Sequence, residues 1–152
     1  MKKLLPLLII VFLVSCISHH EESKEKNITT EVAPVSDGVF VHMTSGPESP
    51  HKVLMGFTMA GKMSEDKDVI MYFDIEGVKV LLKDAPDITY SHFLSSKTQI
   101  NLLLEKGIII MACPGCLKSA GKSPEDLMDG IIVADKEKFF NFTEGRILTI
   151  DY

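Results

Sequence analysis

Cys113 and Cys116 lie two residues apart in Met111-Ala112-Cys113-Pro114-Gly115-Cys116-Leu117-Lys118, and this spacing is compatible with three kinds of chemistry. A thiolate is a nucleophile, and a second sulfur two residues away can resolve an oxidised or sulfur-loaded first one. The same pair can instead close a structural disulfide, although so short a loop removes little unfolded-state entropy. It can also supply part of a metal site, which would need more ligands than two thiolates. His42, His51 and His92 are the histidines of the body, and His42 ends an apolar β-rich run on the same sheet edge as the cysteines. The position of the pair favours a reactive thiol. It follows a buried strand directly and opens a helix, whose N-terminal amides and the nearby Lys118 would ease ionisation of one sulfur.

The elements that must position these residues are legible from periodicity. Gly38–Met43, Asp68–Phe73, Ile108–Ala112, Ile131–Ala134 and Ile147–Ile150 are short apolar runs rich in β-branched residues, the pattern of strands covered on both faces. Between the first two, Ser49-Pro50 reads as an N-cap with Pro at the first helical position, followed by Val53, Leu54, Phe57, Ala60 and Met63 at helical spacing. Val78, Val80, Leu81 and Leu82 form a second, short helical stretch. Ser96 with Gln99 has the form of a capping box, Ile100, Leu103 and Leu104 supply an apolar face, and Gly107 closes that helix. Ser123-Pro124 and Asp135 open two further short helices, the latter through Phe142. Strands alternating with helices predict an α/β three-layer domain with a parallel sheet and right-handed crossovers over residues 37–152. In such sheets reactive groups gather at the carboxyl ends of the strands, where the Cys pair falls.

The third cysteine has a different setting. Lys2 and Lys3 precede an apolar run, Leu4–Val14, that is shorter than the ~20 helical residues needed to span a bilayer and fits the core of a signal peptide. Leu13-Val14-Ser15-Cys16 resembles the lipobox of bacterial lipoproteins. The resemblance implies that residues 1–15 are a lipoprotein signal peptide, removed before Cys16, and that Cys16 is lipidated and holds the chain to a membrane. The expected location is the periplasmic side of the bacterial cell envelope, at the outer membrane rather than the inner. Residues 16–36 are dense in charge and lack an apolar period, so they read as a disordered tether. His19 and His20 belong to that solvated segment.

The body itself resembles a known family. Gly107–Gly121, with Ile108-Ile109-Ile110-Met111-Ala112 running into Cys113-Pro114-Gly115-Cys116, is similar to the cysteine loop of the DsrE/DsrF-like sulfur-relay proteins in their C-x-x-C subgroup. Phe73–Leu82 resembles the segment after that family's second strand. The likeness implies a flavodoxin-like fold with a five-stranded parallel sheet and frequent homo-oligomers (dimer, trimer or hexamer). It also implies that Cys113 carries persulfide sulfur, with Cys116 as the resolving or protecting thiol. The expected partners are sulfur donor and acceptor proteins or small sulfane-sulfur compounds.

Composition narrows the alternatives. The chain carries 16 basic and 21 acidic residues and no Trp, which argues against nucleic acid as a partner. Gly46-Pro47 lacks a nucleotide-binding pattern, and no cofactor is expected. Met55, Met59 and Met63 recur on one helix and read as core packing rather than a copper site. A thiol–disulfide redox module of the envelope and a metal-binding lipoprotein remain the alternatives to sulfur relay.

Overall fold

The computed structural model describes residues 35–152; the expected leader, Cys16 and the tether up to residue 34 lie outside the described residues. Five parallel strands form one sheet: β1 (Gly38–Met43), β2 (Asp68–Phe73), β3 (Ile109–Ala112), β4 (Ile132–Val133) and β5 (Ile147–Asp151). Their spatial order is β4-β3-β2-β1-β5. The helices are α1 (Pro50–Met63), α2 (Ser96–Glu105), α3 (Pro114–Ser119) and α4 (Lys136–Phe140), with 3-10 turns at Gly77–Leu81 and Pro124–Asp126. The expected α/β flavodoxin-like fold is present.

The strand order explains how the layers are filled. From β1 to β4 the chain always steps the same way across the sheet, so right-handed crossovers put the intervening elements on one face. Only the return from β4 to β5 runs in the opposite sense, and it carries α4 to the other face. The main core follows: Val39, Val41 and Met43 of β1, Val69, Met71 and Phe73 of β2, and Ile110 and Ala112 of β3 pack with Val53, Leu54, Phe57 and Ala60 of α1 and Ile100 and Leu103 of α2. Each of the larger side chains among these, fully buried, contributes roughly 1.5–3 kcal/mol relative to exposure. The opposite face has a thinner layer, in which Phe139 of α4 packs against Phe40 and Tyr72 with ring centroids 4.9 and 4.8 Å away.

Several local expectations shift. The N-cap position of α2 is Ser95 rather than Ser96 and makes no side-chain capping bond; Ser96 is buried, and its hydroxyl accepts from the Ile88 N–H. Gln99 turns inward to bond the Leu94 and Leu54 carbonyls and the Thr58 hydroxyl, so no capping box forms. Strand β4 shortens to two residues, and α4 stops at Phe140. Met55, Met59 and Met63 lie half-buried on the flank of α1, while the fully buried stripe is Val53, Leu54, Phe57 and Ala60. Gly107 adopts φ +80° after α2, as a left-handed helix terminator must. Ser36 is tied to the body: its carbonyl accepts from Thr143, and its hydroxyl donates to the Asp66 carbonyl.

Candidate functional site

The carboxyl ends of β1, β2 and β3 lie side by side, and each delivers one group to a shared edge. Register pairs His42 with Tyr72 and Tyr72 with Met111, so the cysteine loop after Ala112 begins beside the end of β2. The Cys113 N–H donates to the Phe73 carbonyl at 2.8 Å, continuing the ladder by one residue. There the chain turns into α3, with Cys113 as the N-cap and Pro114 in the first helical turn, where its missing N–H costs nothing.

Both cysteines are free and half-buried. Their environments are unequal. The Cys116 N–H donates to Cys113 Sγ at 3.4 Å, and the Ile75 N–H donates to Cys116 Sγ at 3.1 Å. Burial is the largest influence on Cys113 and opposes its ionisation, but the neighbouring Tyr72 hydroxyl and the Cys116 and Gly115 amides outweigh it. Its thiol therefore ionises below the ordinary range. Cys116 goes the other way. Burial raises it, the Ile75 N–H lowers it, and the charges of Cys113 and Asp74 raise it further. Cys113 is thus the more readily ionised sulfur of the pair and Cys116 the less.

Tyr72 was not foreseen from the sequence. Burial, then the neighbouring Cys113 sulfur, push its hydroxyl well above the usual range, so it stays protonated beside Cys113. It takes the part expected of Lys118, which lies exposed on α3. His42 stacks on Tyr72, with ring centroids 5.7 Å apart and planes 24° from parallel. His42 Nδ1 lies 2.9 Å from Asp151 Oδ1, and Nε2 lies 3.0 Å from Asp74 Oδ2. The second contact is misaligned for a hydrogen bond, so it acts by charge and leaves His42 Nε2 and Asp74 Oδ1 buried without hydrogen-bond partners. Burial lowers the imidazole pKa, but the two carboxylates raise it by more.

The remaining histidines lie elsewhere. His51 stacks on Tyr90 and Phe93, and His92 on Phe93, with no cysteine among their ring partners. Among the described residues no group of three or more His, Cys, Asp and Glu side chains is arranged to hold a metal ion. A shallow cavity beside Cys116 is lined by Ile75, Glu76, Lys79, Ser119 and Ala120 and measures about 380 Å³. Lys79 is ion-paired with Glu76 there.

Compared by sequence, the chain matches no family model and no curated protein. Solved structures share its fold. A protein of unknown function from Methanobacterium thermoautotrophicum, MTH1491, superposes with a TM-score of 0.52 at 17% identity, over 76% of this chain and 99% of that one. The ychN protein from E. coli does so with a TM-score of 0.53 at 14% identity, over the same shares. These likenesses establish a DsrE-like fold.

Proposed function

We propose that this protein is a membrane-anchored sulfur-relay protein that carries sulfane sulfur as a persulfide on Cys113. The observation that carries this reading is the inequality of the two sulfurs. Cys113 accepts from the Cys116 N–H, lies beside the Tyr72 hydroxyl and ionises more readily, whereas the pKa of Cys116 is raised. In the loading step the Cys113 thiolate attacks the outer sulfur of a donor persulfide. The Cys113 S–S bond forms, the donor S–S bond breaks, and the donor leaves as a thiolate. An acceptor thiolate then takes the same sulfur by the reverse exchange, which needs no net oxidant or reductant. The shared fold of uncharacterised and remotely similar proteins is compatible with this role. The resemblance of the cysteine loop to the sulfur-relay family supports it. The lipobox-like Leu13-Val14-Ser15-Cys16 supports an anchor in the bacterial envelope.

Incubating the reduced protein with polysulfide, or with thiosulfate and a sulfurtransferase, tests the proposal. Peptide mass analysis is expected to find one added sulfur on the Cys113 peptide, which then moves to an acceptor thiol. No gain under conditions that load a known carrier overturns it. Cys113-dependent reduction of protein disulfides without sulfur loading would identify a redox module instead.

A further inference from the structure

We propose that the backbone N–H of Ile75, held over Cys116 by a left-handed turn, stabilises the Cys116 thiolate as it resolves a persulfide on Cys113. This rests on the persulfide reading above and assigns a second step to the same site. The step is balanced within the pair. The Cys116 thiolate attacks the Cys113 sulfur, a Cys113–Cys116 disulfide forms, and the persulfide bond breaks. The outer sulfur leaves with the electron pair as hydrosulfide. The two cysteine sulfurs are oxidised and the sulfane sulfur is reduced; a dithiol reductant then returns the pair to thiols.

Ile75 has φ +48°, a conformation that β-branched residues rarely adopt. Packing does not account for it, because the side chain is 59% exposed. The turn itself does. The Gly77 N–H donates to the Asp74 carbonyl at 2.8 Å, making Ile75 the first central residue of a four-residue turn, a place where positive φ usually selects Gly, Asn or Asp. Both ends of the turn are pinned to the end of β1 and the residue that follows it. The Asp74 N–H donates to the Met43 carbonyl at 3.1 Å, and the Gly77 N–H reaches the Thr44 carbonyl at 3.1 Å. Gly77 cannot yield, since a Cβ there would fall 2.2 Å from the Met43 carbonyl oxygen. The orientation of the Ile75 N–H is therefore dictated by its surroundings, and it points at a sulfur 3.1 Å away. Strained backbone of this kind concentrates at functional sites.

The need for such a donor is specific to Cys116. Burial, the charge of Cys113 and the charge of Asp74 all disfavour its thiolate, and the Ile75 N–H is the counterweight. Cys113 has other donors, from Tyr72 and α3, so loading does not depend on Ile75.

The test replaces the amide at residue 75 by an ester, which deletes the N–H and keeps the side chain, with Ile75→Gly as a second variant that folds more easily at positive φ. In the Cys113→Ser chain, the pH midpoint for alkylation of the Cys116 peptide is expected to rise by about one unit with the ester. In the chain with both cysteines, loaded with polysulfide, hydrosulfide release is expected to slow about tenfold with the ester and about threefold with Ile75→Gly, while loading of Cys113 is unchanged. An unchanged Cys116 midpoint together with unchanged release overturns the assignment. Equal slowing of loading and release also overturns it, because a merely structural role would produce that. If the unmodified protein never loads sulfur, the function proposed above fails, and the alkylation midpoint alone decides whether Ile75 acts on Cys116.

Discussion

Tyr72 and His42 stack across the β1–β2 register, and this one contact joins an imidazole flanked by carboxylates to the hydroxyl that serves Cys113. Neither residue is near the cysteines in sequence. Parallel pairing brings them together, because equivalent positions of adjacent strands point to the same face of the sheet.

Replacing Tyr72 by Phe removes the hydroxyl and keeps the ring that packs on Phe40 and Phe139. The Cys113 thiol then loses its largest favourable influence. Its alkylation midpoint is expected to move up by about one pH unit, with sulfur loading near neutral pH slowed by about threefold to tenfold. Thermal melts of the variant alongside the pH series distinguish this from a folding defect, which would also return the Cys113 midpoint to the ordinary range.

Cys113→Ser should abolish loading. Cys116→Ser should behave differently, because it leaves the nucleophile in place: sulfur still loads, but it accumulates as a stable persulfide and hydrosulfide release stops. Intact-mass analysis and hydrosulfide assay of the two variants side by side check this asymmetry, and equal behaviour would refute it.

His42 predicts a pH dependence of stability. Its folded pKa is raised above the ordinary value of about 6.5, so the unfolded chain binds the proton less tightly than the folded one. The stabilising contribution is therefore fully present below about pH 6.5 and is lost as pH rises through the folded value. Its size is modest, because Asp151 is largely exposed and that pairing is screened. Thermal melts from pH 5.5 to 9 are expected to show a decline that His42→Gln flattens; parallel curves would remove His42 from the account.

Gly77→Ala tests the close approach of the β2 loop to the end of β1. The added methyl would collide with a backbone carbonyl, not with a movable side chain. A loss of about 2 kcal/mol or more is expected in denaturant titrations, with a higher pH midpoint for Cys116 alkylation as the Ile75 N–H is displaced from the sulfur.

The extent to which the sequence disclosed all this follows from how local each signal is. Cys113 and Cys116 are visible because their spacing and the strand-to-helix junction are contiguous. Helix α1 is visible because Val53, Leu54, Phe57 and Ala60 recur at its period. The end of α2 is marked by Gly107. Tyr72 escaped because it sits in a run of buried apolar residues, Val69–Phe73, whose composition conceals which position faces the partner strand. Asp74 and Asp151 escaped for a related reason: one is a loop residue after β2 and the other the last of β5, and only the sheet order places both against His42. Ile75 carries no sequence signal, since Ile is among the residues least expected at positive φ. The Ser96–Gln99 pattern misled because burial of both side chains overrode local capping.

The hydrogen bond from Cys113 to Phe73, together with the reach of Tyr72 and Ile75 to the two sulfurs, makes the chemistry conditional on completed folding. An unfolded chain has two ordinary, sluggish thiols, because the groups that differentiate them come from another strand. Under the function proposed above, sulfur loading waits until β2 and β3 have paired. For the proposed relay, the reactivity of Cys113 then separates folded molecules from unfolded ones.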